Sequence, residues 1–494
     1  METERAAGSA AVTGPRLSAS RSARLETKAV ARLNEIGADA FWGRAADADT
    51  GRLDCRPESS VLTQEYLLRQ ILLALGVVTM CCLAGARALS QTAGGASLAL
   101  VGGTIYTSPT EPPIRDGAVL IEAGRIVSVG RRSSVQVPSG VTVIDTTGST
   151  VTAGFWNSHV HFLERMWADP ATVPAADLTR QFQAMLTQYG FTSVFDIWSS
   201  WENTRQLRER VESGEVAGPR IRATGPAMFP RAPGQSTQMD LSAAPVWAGL
   251  GFMPQETIQL SRVAEPAEAV ARAKQLLDRG VDGIKLYAAF GGRNGTALSE
   301  ELIRSVAQEA HGRGKLLFVH PTTTDALLTS VRAGVDVLAH TTPQSGPWTP
   351  DVIAAMSRAR VALIPTLSFW RYQMRHERIS AADAVEESAV GQLRSWVAAG
   401  GSVLYGTDLG WVTIYDPTVE YVLLAKAMTF PQILAALTTA PAERFGDAAR
   451  LGRIAPGLIA DLAVIRGDPA TDPRALSMID YTIRDGKVIY RATR

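Results

Sequence analysis

The stretch Gly154–Phe162, with the sequence GFWNSHVHF, decides how the rest of the chain is understood. Its apolar run is typical of a β-strand, and His159 and His161 stand two residues apart near its end. Successive side chains of a strand point to opposite faces, so these two imidazoles share a face and can bind one metal ion. A pair of histidines on an exposed strand also occurs without a metal, so the rest of the sequence has to decide.

The charge balance of the chain excludes one large class of partner. The 494 residues include 49 Lys and Arg against 48 Asp and Glu, and no long basic stripe stands out. Nothing electrostatic therefore indicates nucleic-acid binding, and a small-molecule substrate fits better. Because 46% of the residues are hydrophobic, we expect a globular protein with a large core and a smaller second domain.

The three cysteines, Cys55, Cys81 and Cys82, all lie near the N-terminus. Everything after residue 90 therefore lacks a thiol, and with it a disulfide framework or a Cys metal ligand. A metal ion in that part of the chain has to be held by histidine, by carboxylate or by a less usual group.

The first ninety residues differ in composition from the rest. Residues 1–65 are rich in Ala, Arg, Glu and Ser, which predicts a poorly ordered or weakly helical extension. Residues 66–90 hold an uncharged apolar run that ends in small residues, as at a signal-peptidase site, and is shorter than the roughly 20 residues that span a bilayer. We expect a cleaved secretory signal and an exported, periplasmic or secreted protein without a membrane span after cleavage. A membrane anchor is the alternative, and a buried helix is third.

The position of this signal-like segment is unusual, because signals lie at the N-terminus. One explanation is that the natural start lies downstream, for instance near Val61. The mature chain would then begin near Arg87 or Leu89, and its lack of thiols is compatible with an oxidising compartment.

Two β-rich segments flank a long central region. Residues 96–150 and 451–494 alternate apolar and polar positions between Gly-containing turns, and Asp485-Gly486 is a strong hairpin signal. Strand segments at opposite ends of a chain suggest one domain built from both. We expect a small β-sandwich domain with residues 151–450 inserted into it.

The central region alternates short apolar runs with amphipathic stretches such as PAEAVARAKQLLDRG. Eight of the runs are candidate strands: TAGFWNSHVHF, TSVFDIW, RIRATG, GIKLY, LLFVHP, VLAHT, ALIPTL and SVLYGTD. Eight strands with intervening helices over about 300 residues predict an α/β fold, a (β/α)8 TIM barrel. An open doubly wound sheet is the alternative, but no Gly-rich phosphate loop follows the first strand.

The C-terminal ends of the strands carry the chemistry in a barrel of this kind. Read in order, those ends supply His159, His161, Lys285, His320, His340 and Asp408. Four of the six histidines in the chain are among them, while His311 and His376 fall in helical or loop patterns and are expected at the surface. Each of the four alone could be an ordinary buried histidine. Their joint position at strand ends predicts a metal site.

Lys285 is the most informative member of the set. The chain holds only six lysines against forty-three arginines, and this one lies inside an apolar strand. Burial would lower its pKa and favour the neutral amine, which can react with carbon dioxide to give a carbamate. The carboxylate-like carbamate can bridge two metal ions. An ion pair between Lys285 and Asp408, or another acid, is the alternative.

This series, His-x-His, Lys, His, His and Asp in strand order, resembles the amidohydrolase superfamily, and above all its prolidase-like and imidazolonepropionase-like members. The resemblance runs from about residue 98 to the C-terminus and includes the closing segment GRIAPGLIADLAVIRGDP. It implies two divalent ions, for which zinc suits a ligand set without sulfur. Asn157 is a departure, since many relatives carry an acidic residue two positions before the first histidine.

The resemblance also implies a role for each ligand. The more buried ion is bound by His159, His161 and Asp408, the more exposed ion by His320 and His340, and carbamylated Lys285 bridges the two. The pair of ions would convert a bridging water to hydroxide at working pH and polarise the scissile carbonyl, while Asp408 carries the proton to the leaving amine. The implied function is hydrolysis of an amide C–N bond, in a dipeptide or a non-peptide amide.

Two other functions stay open. A mononuclear deaminase or cyclic-amide hydrolase of the imidazolonepropionase type is the alternative, but imidazolonepropionases usually hold one metal and lack the bridging lysine, so Lys285 favours the binuclear branch. A non-catalytic relative that uses the barrel for binding or assembly would have lost ligand residues, and all six positions are filled here.

The substrate pocket is the least determined part of the sequence. Tyr287 ends the Lys285 strand, Arg293 lies in the following loop, and Trp370, Arg371 and Tyr372 come after the seventh strand. We expect Tyr287, Arg293 and Arg371 to form an aromatic and cationic pocket for a substrate with a free carboxylate. The alternative is that they are loop residues packed at the barrel mouth. A homo-oligomer is left open by the sequence.

Overall fold

The computed structural model describes residues 97–237, 261–290, 295–376 and 382–493. The predicted extension 1–65, the signal-like segment 66–90 and Arg293 lie outside the described residues, as does the side chain of His376. All the described residues belong to one compact unit.

Twenty strands are assigned within the described ranges. They are β1 (Leu98–Ile105), β2 (Ile114–Glu122), β3 (Arg125–Arg131), β4 (Thr142–Asp145), β5 (Ser149–Ala153), β6 (Phe155–Val160), β7 (Phe191–Asp196), β8 (Arg220–Ala223), β9 (Met228–Pro230), β10 (Ser261–Val263), β11 (Gly283–Tyr287), β12 (Ala289–Phe290), β13 (Thr296–Ala297), β14 (Leu316–His320), β15 (Val337–Ala339), β16 (Ala362–Ile364), β17 (Ser402–Val403), β18 (Leu462–Arg466), β19 (Ile479–Arg484) and β20 (Lys487–Arg491).

Eleven α-helices are assigned in the same part of the chain. They are α1 (Ala175–Met185), α2 (Trp201–Glu212), α3 (Pro266–Asp278), α4 (Glu300–Gly312), α5 (Thr324–Arg332), α6 (Pro350–Ala359), α7 (Leu367–His376), α8 (Ala382–Ala398), α9 (Thr418–Leu424), α10 (Phe430–Leu437) and α11 (Thr439–Arg444). Of the helices that the structure describes, none combines the length and the apolar character that crossing a membrane requires.

The two flanks of the chain build one eight-stranded sheet. Its order is β20-β19-β18-β5-β1-β2-β3, with β4 also paired to β1. The two flanks join where β5 runs antiparallel to β18, with Val151 opposite Val464. Alternation along β1 places Leu98 and Leu100 in one apolar cluster and Ala99 in another, so both faces of the sheet are covered. The finer expectation of a two-layered sandwich stays a prediction.

Gly154 carries the chain from this sheet directly into the central region. A Cβ at this position would lie 2.3 Å from Thr192 Oγ1, well inside van der Waals contact. Only glycine therefore lets the start of β6 lie against β7. Because β5 of the flanking sheet leads through Gly154 directly into β6, the flanking sheet fixes the start of the strand that carries His159.

The central region is an α/β arrangement of parallel strands, as predicted. Each of the eight candidate runs contains a strand, and these strands fall in two parallel sheets, β6-β7-β8 and β10-β9-β11-β14-β15-β16-β17. Backbone hydrogen bonds connect the two sheets at two places. Asp282 N–H, just before β11, donates to Ala223 O at the end of β8 over 2.7 Å, and Ser158 N–H in β6 donates to Tyr405 O after β17 over 2.7 Å. Parallel strands end on the same side, so their carboxyl ends converge.

Helices with conventional starts alternate with these strands. The side-chain oxygens of Ser299, Thr323 and Thr349 accept backbone N–H bonds at the starts of α4, α5 and α6, which satisfies donors that the helix cannot satisfy itself. The apolar stripe of α4, which includes Leu302 and Val306, is buried in the central core. This packing holds the strands in place and leaves their carboxyl ends to carry polar groups.

Candidate metal centre

The end of β6 brings two imidazoles and a carboxylate together. His159 Nε2 and His161 Nε2 are 3.2 Å apart, and Asp408 Oδ1 lies 3.3 Å from the first and 2.7 Å from the second. All three side chains are buried. Neutral imidazole nitrogens and a carboxylate oxygen are all electron-pair donors, so their mutual approach is favourable only with a cation or proton among them.

His340 completes this cluster from the end of β15. Its Nε2 lies 3.7 Å from Asp408 Oδ2. One ligand atom each from His159, His340 and Asp408 fall within 4.8 Å of one another, which is the spacing expected of groups that can hold one ion.

Backbone strain accompanies these ligands. His340 and Asp408 have φ angles of +84° and +61°, in the left-handed region that non-glycine residues rarely adopt. Gly410 has φ +97°, and a Cβ there would lie 1.9 Å from His161 O. The turn that carries Asp408 therefore packs tightly against the end of β6, and the strain is concentrated where the ligands are aimed inward.

Groups behind the ligands fix their orientation. His161 Nδ1–H donates to Trp198 O over 3.0 Å, which leaves Nε2 facing the cluster. The Trp198 peptide is held in turn by Asp196, whose Oδ1 accepts from Trp198 N–H (3.2 Å) and Ser199 Oγ (2.7 Å). His340 Nδ1 lies 2.6 Å from Thr366 Oγ1. The sequence analysis missed Asp196, which lies inside the predicted strand TSVFDIW and ends the observed strand β7.

Asn157, the departure from the family pattern, serves the same cluster structurally. Its Oδ1 accepts from the backbone N–H groups of His159 (3.2 Å) and Thr407 (3.3 Å), and its Nδ2 donates to Thr407 Oγ1 over 2.7 Å. The amide thus connects the first strand to the segment before Asp408. An uncharged residue is well suited here, because the side chain must both donate and accept.

Lys285 lies in the middle of β11 and is fully buried. Burial lowers the pKa of its amine to about 7, against the opposing charge of Asp408. Within the part of the chain that the structure describes, Nζ has no hydrogen-bond partner and no salt bridge. An ion pair with Asp408 is therefore not formed, and the amine is available for chemistry.

His320 ends β14 next to this lysine. Its ring lies 4.4 Å from the ring of His340 and stacks at 4.6 Å on Tyr287, between ring centroids. The backbone pairing of β11 with β14 sets Tyr287 beside His320. The structure thus brings together all six residues that the strand-end rule selected.

The protonation states within the cluster suit a cation. Burial lowers the pKa of His159 to about 4 and holds the pKa values of His320 and His340 well below the usual value. Burial alone would raise the pKa of Asp408, but the neighbouring His159 and His161 outweigh it and hold that pKa well below its usual value. Neutral imidazoles with an ionised carboxylate are the forms that bind metal.

A cavity of about 330 Å³ opens over this cluster. Its floor, defined here as His161, His320 and Asp408, leads directly to the metal-ligand candidates. Tyr287, predicted as a substrate residue, is among the lining residues. The volume lies near the lower end of the ~300–1,000 Å³ typical of small-molecule sites.

Arg371 is placed elsewhere. Residues 367–376 form the helix α7 rather than a loop, and successive helical residues are rotated by about 100°. Trp370, Gln373 and Met374 face the cavity, whereas the guanidinium of Arg371 is held by the carboxylate of Glu386, with Nη2 2.8 Å from Oε1. The expectation that Arg371 meets a substrate carboxylate is therefore not supported by this geometry. His311 is partly exposed, as expected, and its Nε2 lies 2.7 Å from Asp336.

Parallel strands that deliver histidines, a carboxylate and a buried amine to one end define a metal-dependent hydrolase. The comparison with known proteins gives the family: residues 150–489 match the amidohydrolase family, and the chain belongs to it. It is thus a hydrolase that acts on carbon–nitrogen bonds.

Relatives are similar over most of the chain. An imidazolonepropionase from Porphyromonas gingivalis is 22% identical over 431 residues, covering 78% of this chain and 92% of the relative. A prolidase solved with N-methylphosphonate-L-proline is 24% identical, with a TM-score of 0.66 and coverage of 80% of this chain and 100% of that one. Ochratoxinase from A. niger is 19% identical, with a TM-score of 0.64 and coverage of 80% and 96%. These last two likenesses show the shared fold.

Proposed function

We propose that the protein is a binuclear metal-dependent hydrolase that cleaves the C–N bond of a small amide. The observation that carries this proposal is the buried Lys285 amine beside four histidines and Asp408. Among the described residues it has no hydrogen-bond or salt-bridge partner, and it lies over the face of the Tyr287 ring, at 5.5 Å. A lone buried amine is costly unless it is neutral or modified. The proposal includes a closed (β/α)8 barrel, supported by the hydrogen bonds that join β8 to the start of β11 and β6 to the segment after β17.

The residues fit two divalent ions. His159, His161 and Asp408 would hold one ion and His320 and His340 the other, with Lys285 bridging as a carbamate. A neutral lysine amine adds to carbon dioxide at Nζ and releases one proton, giving an anionic bridging group. Nitrogen and oxygen donors without sulfur suit zinc. When bound, such ions polarise the scissile carbonyl and bring the pKa of water toward neutrality.

The chain itself supplies proton transfer and orientation. Asp408 lies on the cavity floor and is ionised, so its carboxylate can take the proton of the attacking water and deliver it to the leaving nitrogen. Trp198 O and Thr366 Oγ1 fix the rings of His161 and His340, so the ligands need little reorganisation during turnover.

Metal stoichiometry is the experiment that tests this proposal. We expect two ions per fully active chain, measured by elemental analysis alongside hydrolysis of a panel of simple amides, and a carbamate signal in ¹³C NMR after exposure to labelled carbon dioxide. One tightly held ion in fully active protein would contradict the binuclear claim.

A mononuclear deaminase or cyclic-amide hydrolase is the second candidate. It is supported by the similarity to an imidazolonepropionase and by the compact set of His159, His340 and Asp408, which alone could hold one ion. Full activity with a single ion, together with turnover of cyclic but not open-chain amides, would favour it.

Export is proposed on sequence grounds, from the apolar segment at residues 66–90. We expect N-terminal sequencing of protein from a native-like host to find a start near Arg87 or Leu89. An intact segment in soluble cytoplasmic enzyme would contradict export, and an intact segment in membranes would favour the anchor.

A further inference from the structure

The cavity over the metal centre is lined mainly by aromatic side chains. Four of them, here called the first aromatic group, are Trp198, Phe229, Tyr287 and Phe290. Trp198 follows β7, Phe229 lies within β9, and Tyr287 and Phe290 end β11 and β12. The fold, rather than one loop, therefore brings them together. Phe229 and Tyr287 stack at 4.1 Å between ring centroids, with their planes 16° apart.

The stack continues to the metal-ligand candidates. Tyr287 lies at 4.6 Å from the ring of His320, with an interplanar angle of 23°. Trp198 meets both Phe229 and Tyr287 edge-on, at 5.6 Å and 5.7 Å. These contacts hold the first aromatic group in one arrangement, so a planar ligand meets a preformed surface that reaches the floor of the cavity.

A second aromatic group comes from α7 and from the segment after Asp408. It consists of Phe369, Trp370 and Trp411, with Phe369 edge-on to Trp370 at 5.0 Å. The two groups meet where the ring of Trp411 approaches that of Trp198 at 6.4 Å. Trp411 Nε1 donates to Gln373 Oε1 over 3.1 Å, which links the Asp408 segment to α7.

The charge of the cavity is as informative as its shape. Among the described residues that line it, Asp408 is the only carboxylate, and there is no arginine or lysine. The other polar lining groups are the neutral side chains of Thr322, Gln344 and Gln373. Away from the metal-ligand candidates, a carboxylate that lies against these described side chains loses hydration without gaining a cationic partner among them.

Phe290, at the end of β12, extends the aromatic lining to the protein surface. Its side chain is 39% exposed, and its ring meets Phe229 edge-on at 5.2 Å. A single exposed apolar side chain is ordinary, but the contact with Phe229 makes this one continuous with the lining of the cavity.

We propose that the substrate of this site is an amide with an uncharged aromatic ring next to the scissile C–N bond, and that substrates with a distal carboxylate are rejected. This inference rests on the proposed amide hydrolase function and deepens it. The ring would lie against the two aromatic groups while the amide carbonyl reaches the floor. Such contacts would orient the substrate, because an aromatic ring held between fixed rings can bind in few alternative positions.

The test uses matched amides and the metal-replete full chain. One series places the ring on the amine side, as acetanilides, and the other on the acyl side, as N-methylbenzamides. Each ring carries either a para-methyl or a para-carboxylate group, and N-methylacetamide is the ring-free reference. We expect one ring series to exceed the reference in kcat/KM by roughly tenfold or more, and the para-carboxylate to reduce kcat/KM at least about tenfold relative to para-methyl.

Phe290→Ala examines the lining itself, and Val143→Ala is the matched control. Val143 is an exposed apolar residue on β4 of the flanking sheet. We expect Phe290→Ala to lower kcat/KM for the preferred aryl amide about fivefold, the equivalent of about 1 kcal/mol, whereas Val143→Ala should match wild type. Both variants should keep the wild-type metal content.

The outcomes separate the two proposals. Hydrolysis of amides without a preference for rings, or with a preference for carboxylates, would overturn the aromatic-substrate inference and leave the amide hydrolase intact. Failure of the metal-replete protein to hydrolyse any open-chain amide would instead contradict the proposed function.

Discussion

The floor of the cavity and its aromatic lining are a few Å apart but are built in different ways. The four histidines among the metal-ligand candidates stand at the ends of parallel strands or directly after them, where the backbone sets the direction of each side chain. Lys285 lies within β11, and Asp408 is on the turn that follows β17. The lining comes partly from strand ends and partly from α7 and the segment after Asp408. The part of the lining that α7 supplies can therefore change without a change in the strands that carry the ligands, which is how one scaffold can keep its chemistry while the substrate changes.

Lys285→Ala should give the largest effect, because it removes the amine that we propose forms the bridging carbamate. We expect metal content to fall and activity to drop below detection, with partial rescue by added short-chain carboxylic acids that occupy the place of the carbamate. Lys274→Ala is the control, since Lys274 is half exposed on α3. Wild-type activity and metal content in Lys285→Ala would show that the lysine is structural.

Asp408→Asn should come next and act on turnover. The change keeps the shape of the side chain but removes the group assigned to proton transfer, so we expect kcat to fall by about 10²–10⁴ with a smaller effect on KM. Metal content has to be measured on the same sample, because Asp408 also lies within reach of three histidines. Near-normal turnover with metal retained would assign the proton transfer to another group.

Most of the metal-ligand candidates could be predicted from the sequence, and the reason is physical. Strand ends are easy to locate from short apolar runs, and His159, His161 and Asp408 have few roles there other than ligation. Asp196 was missed because a single buried aspartate gives no spacing pattern, although it too ends a strand. Looking for polar residues at strand ends finds side chains that could bind the metal directly. It is less able to find a residue such as Asp196, which acts by orienting another ligand.

The lining was harder to predict. Trp370 and Arg371 are adjacent in sequence, and only the helical geometry of α7 decides that the indole faces the cavity while the guanidinium meets Glu386. Because residues 367–376 were expected to form a loop, the sequence could not predict which of these side chains face the cavity. Tyr287 was identified because it ends a strand, where the direction of a side chain can be counted from its neighbours. The fold class was predictable for the same reason, since it depends on the order of strands and helices.

Asp196→Ala should have an intermediate effect, through the orientation of His161. Removing the carboxylate frees the Trp198 peptide whose carbonyl holds the His161 ring, so we expect metal affinity to fall by about 10–100-fold, as for other groups that support a ligand. Asp196→Asn keeps an acceptor oxygen and should lose much less. Competition with a chelator measures both, and equal affinities of wild type and Asp196→Ala would remove Asp196 from this role.

Glu420→Gln should have the smallest effect on the chemistry and a defined effect on stability. Glu420 on α9 is buried, and its two oxygens accept from the backbone N–H groups of Leu367 (2.9 Å) and Ser368 (2.6 Å) at the start of α7. The carboxyl group thus anchors the helix that supplies Phe369 and Trp370 to the lining. Burial raises its pKa to about 7, although the backbone N–H bonds oppose this.

The raised pKa fixes the sign of the pH dependence. A carboxyl group whose pKa is higher in the folded state binds its proton more tightly there, so its contribution to stability is complete below the unfolded value of 4.5 and is lost as the pH rises through about 7. The full loss amounts to about 3 kcal/mol. Glutamine does not titrate, so the free energy of unfolding of wild type minus that of Glu420→Gln should fall by about 2.5 kcal/mol between pH 5 and pH 8. Urea unfolding at the two pH values measures the difference, with exposed Glu443→Gln as the control. A difference that stays constant with pH would mean that Glu420 is ionised throughout and anchors α7 as a permanent anion.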